Sequence, residues 1–248
     1  MAASGSGLPS RRALLLVAVA GAGSLRVRPA RAASLDVNPM YLDFPPGRMA
    51  ATLEITNRGD TVTAVQIRAF TWTQEGDEDK LDPTQDVIIS PAAATVDAQE
   101  SQLVRVLLRH PSADADRYYR VLVDELPRPG AAKTITVALR FSVPVFAPGT
   151  GTGHPDLHWQ MESVQGHELV LVARNPGAKS IRINRLDATL QGGQKLPARA
   201  VGNNPFVLPG AERRWRLELP PGLSPTTPLH LTAQTSAGVR EQVLTFMP

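Results

Sequence analysis

Ala51-Thr52-Leu53-Glu54-Ile55-Thr56-Asn57-Arg58-Gly59-Asp60 is the stretch on which the fold class turns. Its apolar residues recur at every second position through Ile55, and the run then stops on an Asn-Arg-Gly-Asp turn. A period of two places Ala51, Leu53 and Ile55 on one face of an extended chain, so the segment predicts a half-buried strand and its exit. Working outward, runs of the same kind occupy 35–37, 62–73, 86–90, 102–109, 118–126 and 133–146, each bounded by Gly, Pro, Asn or Asp. None sustains a period of 3.6, and the 22 prolines of the chain are too many for long helices. About seven strands before residue 148 is the count of an immunoglobulin-like sandwich.

The layout then repeats. Ala147-Pro148-Gly149-Thr150-Gly151-Thr152-Gly153-His154-Pro155 holds no large apolar residue and reads as a linker. It lacks the GxxxxGK[ST] spacing of a phosphate-binding loop, and no helical pattern follows it. Beyond it, Glu168-Leu169-Val170-Leu171-Val172-Ala173-Arg174-Asn175-Pro176-Gly177 reproduces the strand-then-Asn turn of 51–59, and further strands are expected at 180–190, 213–219, 229–236 and 239–246. The expected fold is all-β: two immunoglobulin-like β-sandwich domains joined by a short Gly/Pro linker. The expected divisions are an N-terminal domain over 33–148, a linker over 149–155 and a C-terminal sandwich over 156–248.

Residues 1–32 read as an export signal. Arg11 and Arg12 precede an uncharged apolar stretch from Ala13 to Ala22, and Ala30-Arg31-Ala32 forms a small-x-small cleavage site. The apolar stretch is too short to span a bilayer, which takes about 20 residues. The Arg pair also fits a twin-arginine signal, so both export routes stay open. No later segment is long and apolar enough to anchor the chain, and the expectation is a periplasmic protein without stable membrane insertion. The 26 basic residues include five arginines within this segment, which has no acid, leaving 21 against 23 acidic residues in the mature part. That balance gives no support for nucleic-acid binding.

The search for chemistry finds little. With no Cys there is no disulfide, thiolate metal site or cysteine nucleophile. Of His110, His154, His158, His167 and His230, only His154 and His158 are close, and they sit beside a Gly/Pro linker where a four-residue spacing does not bring side chains together. Glu75-Gly76-Asp77-Glu78-Asp79 lacks the ligand spacing of a calcium loop and reads as a solvated hairpin tip before a Leu81-Asp82-Pro83-Thr84 turn. GxSxG is absent. No catalytic residue, metal or cofactor is assigned, and the chain is expected not to be an enzyme. Phe70 and Trp72, two apart on one strand face, are read as core.

Read in order, several short pieces together resemble the periplasmic chaperones of chaperone–usher pilus assembly. They are Val37-Asn38-Pro39, Asn57-Arg58-Gly59, Val65-Gln66-Ile67-Arg68, Trp72-Thr73-Gln74, Leu81-Asp82-Pro83-Thr84 and Ile89-Ser90-Pro91. They continue with Gln102-Leu103-Val104-Arg105-Val106, Tyr119-Arg120-Val121-Leu122-Val123-Asp124-Glu125-Leu126-Pro127 and Leu139-Arg140-Phe141-Ser142-Val143-Pro144-Val145-Phe146. The Trp-x-Gln, Tyr-Arg-Val and Ser-x-Pro-Val-Phe pieces resemble the archaic, spore-coat-like branch. The resemblance implies a fold of two immunoglobulin-like domains set at an angle, pilus subunits and an outer-membrane usher as partners, and donation of the last strand of the first domain to a subunit that lacks one, by β-augmentation. It implies that Ile135, Val137, Leu139 and Phe141 enter the subunit. From alternation alone, the row from Ile135 to Val145 could equally pack into its own core. The two basic residues with which well-studied members hold a subunit carboxylate align near Pro39 and Pro144. Arg120 is the substitute anchor that the resemblance suggests, against an ordinary ion pair with a residue such as Glu125. A structural or adhesive surface protein built of the same sandwiches is the alternative, since fold alone does not fix function.

Overall fold

Leu53 and Ile55 of the deciding stretch are fully buried while Thr52, Glu54 and Thr56 are not, so the period of two read from the sequence is the period of burial. The computed structural model describes residues 35–111, 114–126, 138–165, 167–223 and 227–245. The expected signal at 1–32 lies outside them. Among the described residues every regular element is a strand, and none is a helix able to cross a membrane. The first half contains β1 (Leu35–Asn38), β2 (Leu42–Asp43), β3 (Ala50–Asn57), β4 (Thr63–Glu75), β5 (Glu78–Pro83), β6 (Val87–Ser90), β7 (Ala93–Val96), β8 (Ser101–Leu108), β9 (Arg117–Leu126) and β10 (Arg140–Ala147). The second contains β11 (His158–Gln165), β12 (Glu168–Arg174), β13 (Ile181–Leu190), β14 (Lys195–Leu196), β15 (Ala198–Ala200), β16 (Phe206–Val207), β17 (Glu212–Glu218), β18 (Leu229–Thr235) and β19 (Gly238–Leu244).

Each half is a two-layer sandwich. In the first, a sheet ordered β1-β3-β8-β6 faces one ordered β2-β10-β9-β4-β5, with β7 also on β4. In the second, β11-β12-β17-β15 faces β14-β13-β18-β19, with β16 on β13. Leu53, Ile55, Val65, Ile67, Val104, Val121 and Val145 fill the first core; Leu169, Leu171, Ile181, Leu217, Leu229 and Leu231 fill the second. Asn57 and Asn175, the two turn residues matched in the sequence, are both fully buried and do the same work. Asn57 donates to the carbonyls of Thr61 and Val96 and accepts from Gly59 N–H; Asn175 donates to Lys179 and Val207 and accepts from Gly177 and Asp156. A buried amide with this many partners satisfies itself while tying a strand exit to the opposite sheet.

Of the strand expected over 133–146, the described part runs from Arg140 as β10, with Ala138 and Leu139 outside it, and Ile135 and Val137 lie outside the described residues. The segment Leu81-Asp82-Pro83 continues β5 instead of turning. The acidic segment is the expected hairpin tip between β4 and β5, with Glu75 and Glu78 exposed, but Asp77 and Asp79 also bind Arg214 and Arg213 of the second sandwich.

Ser34–Pro248 form one compact unit, and the joint between the sandwiches is correspondingly tight. β4 changes faces along its length: Val65 and Ile67 point into the first core, whereas Trp72, 1% exposed, belongs to the core of the second sandwich. Tyr118 and Phe146 also pack against that second core, and Trp72 meets both edge to face. Gly149 and Gly177 sit at close backbone approaches. A Cβ on Gly149 would stand 2.5 Å from the Asp114 carbonyl, and one on Gly177 would stand 2.5 Å from that of His154. Gly149 N–H donates to Asp116 Oδ1, and Lys179 from the second sandwich binds the same oxygen.

Candidate functional site

The site is built on one edge of β10. Antiparallel pairing with β9 sets Leu139 opposite Glu125, and Glu125 N–H donates to the Leu139 carbonyl at 2.9 Å. In an antiparallel ladder every second residue turns both main-chain groups toward its partner. Phe141, Val143 and Val145 therefore face β9, and Arg140, Ser142, Pro144 and Phe146 face away. Phe44 N–H confirms the phase by donating to the Phe146 carbonyl from that other side at 2.9 Å. β2 covers this edge only opposite Val145 and Phe146, in parallel register. Among the described residues no strand pairs with it from Arg140 to Ser142.

Side chains divide along the same strand. Val143 and Val145 are buried in the first core, while Leu139 and Phe141 are half-buried at its margin. Of the residues expected to meet a partner, Leu139 and Phe141 thus stand beside the open edge. On the other face Arg140 reaches Asp124, which also accepts from Arg68 at 2.7 Å. Burial raises the Asp124 pKa, but those two guanidinium groups outweigh it and hold the carboxyl below its usual range.

Downstream the edge runs into a cleft of about 580 Å³ between the sandwiches, lined among others by Tyr41, Ser142, Pro144, Arg120, Arg182 and Arg213. Arg120 lies directly across from Pro144 on β9. It is 7% exposed, stacks with its guanidinium carbon 3.9 Å from the Trp72 ring centre, and donates to Asp79 Oδ2 at 3.1 Å. Its ion-pair partner is therefore Asp79, not Glu125, which accepts from Thr63 and Leu139. Asp79 also accepts from Arg213, from Asn204 Nδ2 at 2.7 Å and from Gln74. Burial pushes this carboxyl up, but Asn204, the Trp72 N–H, Arg213 and Arg120 together bring it below its ordinary value. The Trp72 N–H is buried and makes no well-formed hydrogen bond, so its contribution to Asp79 is that of a nearby dipole. Burial lowers the Arg120 pKa to about 10 despite the attraction of Asp79. Among the described residues the Arg182 guanidinium has no carboxylate partner and lies 5.8 Å from the Tyr41 ring centre.

The Trp-x-Gln piece acquires a physical meaning here. Trp72 enters the second core, and Gln74 clips onto its backbone, donating to the Phe206 carbonyl at 3.0 Å and accepting from Leu208 N–H at 2.9 Å. Arg213, Asn204 and Arg182 were not singled out from the sequence. The acidic cluster that contains Asp79 was the available signal, and of its partners Asn204 and Arg213 stand more than a hundred residues further along. Among the described residues no group of His, Asp or Glu is placed to hold a metal ion.

Residues 34–150 match the family described as pili and flagellar-assembly chaperone, PapD N-terminal domain. No protein of curated function matches the chain. Among solved structures it is similar to a chain of the CsuC–CsuE chaperone–tip adhesion subunit pre-assembly complex from archaic chaperone–usher Csu pili of Acinetobacter baumannii. That match has 24% identity, covers 86% of this chain and 97% of that one, and has a TM-score of 0.62. The YadV chaperone is similar at 16% identity over 86% of this chain and 100% of its own, with a TM-score of 0.60. A chain of the Salmonella enterica SafA pilin–SafB chaperone complex follows at 16% identity over 86% and 98%, with a TM-score of 0.57. At these identities the likeness to the solved structures is one of fold, two immunoglobulin-like domains in series. The family match runs through the whole first sandwich, so this domain is similar to the N-terminal domain of the pili and flagellar-assembly chaperones.

Proposed function

We propose that this protein is an exported pilus-assembly chaperone that holds pilus subunits in the periplasm by donor-strand complementation and hands them to an outer-membrane usher. The observation that carries the reading is the open main-chain edge of β10, flanked by half-buried Leu139 and Phe141 and leading into an arginine-lined cleft. Unpaired strand edges invite another strand, and a subunit missing one would gain backbone pairing along the edge and apolar contacts from its row of side chains. Ile135, Val137, Leu139 and Phe141 are the proposed subunit-binding residues. Arg120 is the proposed carboxylate anchor, sharing its charge between Asp79 and a carboxylate entering beside Pro144. We assign 1–32 to the signal, 33–148 and 156–248 to the two domains, and no catalysis to either.

Structural or adhesive surface proteins can share the sandwich, so the test is the partner. Affinity purification of the tagged chaperone from periplasm, followed by mass spectrometry, is expected to yield pilus subunits in stoichiometric amount. Recovery of the chaperone without subunits, from cells that are assembling pili, would sink the reading.

A further inference from the structure

Resting on that reading, we propose that the strand added by a partner stops at Ser142, because the β10 edge has no rung left to offer beyond it. On the outward side of β10 the main-chain groups belong to Arg140, Ser142, Pro144 and Phe146. Pro144 has no N–H, and the next outward residue, Phe146, is already engaged by β2 and Phe44. A proline in a strand is tolerated only where its missing donor faces away from the existing ladder, and Pro144 occupies such a position relative to Arg120. The edge therefore offers a complete donor and acceptor pair at Arg140 and at Ser142, and none at Pro144. Exposure changes at the same point, since Pro144 is buried while Arg140 and Ser142 are exposed. Side-chain period and backbone period then coincide: a partner pairing with Arg140 and Ser142 lies alongside Leu139 and Phe141, but not alongside Val143, whose side chain is spent in the core. The stop fixes register, because a slip of one residue would offer the partner groups already bonded to β9.

The probe is a short synthetic peptide of alternating valine and threonine with a free carboxylate, titrated into the full-length mature chaperone with amide exchange followed by NMR. In the free protein the Phe141 and Val143 amides should be protected and those of Arg140 and Ser142 should exchange. With peptide, protection should appear at Arg140 and Ser142. Ser142→Pro should keep the native melting temperature, because its N–H is not used by β9, yet weaken peptide binding by about tenfold for the lost rung. Ser142→Ala should bind like the native protein. If the peptide protects neither Arg140 nor Ser142, β-augmentation at this edge fails, and the proposed function with it. If it protects both but Ser142→Pro binds unchanged, or if that variant unfolds, the stop at Ser142 alone is overturned.

Discussion

Asp79 is the residue on which the joint between the sandwiches converges, since one carboxylate accepts from Arg120 and Gln74 of the first and from Arg213 and Asn204 of the second. Two guanidinium groups this well buried cannot lose their common counter-charge cheaply. Asp79→Asn should destabilise the protein at pH 7 by about 1–3 kcal/mol, allowing for the partial exposure of the carboxylate. Its folded pKa is depressed, so its contribution is complete above the unfolded value of about 3.9 and disappears as pH falls through the lower folded value. Urea titrations of native protein and Asp79→Asn should therefore differ at pH 7 and converge as the pH drops below about 4. A gap that persists at the lowest pH would show that the carboxylate acts through shape and not through charge. The same residue marks the limit of the sequence. A run of four acids beside a glycine looks solvated from its composition, and nothing local reveals that arginines at 120 and 213 will fold onto it. The strands themselves were readable, because the period of two is local information; the pairing of Asp79 is not.

At the scale of the element, β10 serves two interests on one row of side chains. Val143 is 2% exposed and packed in the first core, whereas Leu139 only leans against that core's margin. An aspartate at Val143 would bury an unpaired charge, a cost of several kcal/mol that should abolish folding. At Leu139 the charge can turn toward water, and the loss should be about 1–2 kcal/mol of packing. Thermal unfolding of Val143→Asp and Leu139→Asp, measured beside subunit co-purification, should find Val143→Asp unfolded and Leu139→Asp folded but without subunit. A folded Leu139→Asp that still carries subunit at the native yield would remove Leu139 from the binding strand. Alternation from 133 to 146 showed that one face is apolar, but it could not show where core ends and binding surface begins. That boundary is set by how far the opposing sheet extends, a tertiary fact with no trace in the strand's own residues. The open edge was hidden for a similar reason: the outward direction of Arg140, Ser142 and Pro144 follows from the β9 register, not from their identities.

For the whole molecule, the decisive contact is a side chain borrowed across the joint. Phe70 and Trp72 share a strand face and were expected to be core, and the expectation held for Trp72 in a way the spacing cannot specify, because the core it completes is that of the other sandwich. Its indole meets Tyr118, Phe146 and Phe206 edge to face and carries the Arg120 guanidinium on its ring. The second sandwich therefore lacks a wall unless the first is in place, and the two should unfold together. Trp72→Ala removes this wall along with the platform beneath Arg120. Truncating a fully buried tryptophan costs about 3–5 kcal/mol, since the cavity left is too large for neighbours on two separate sheets to refill. The first core, which contains no part of Trp72, should keep its own stability. Calorimetry should then show one transition for the native protein and two for Trp72→Ala, the lower belonging to the second sandwich, with Trp159 and Trp215 reporting its melting by near-ultraviolet circular dichroism. A single transition lowered as a unit would mean that Gln74, Asp79 and the Asp116–Lys179 pair couple the domains without the indole, and the joint would then be polar in origin, not a shared core.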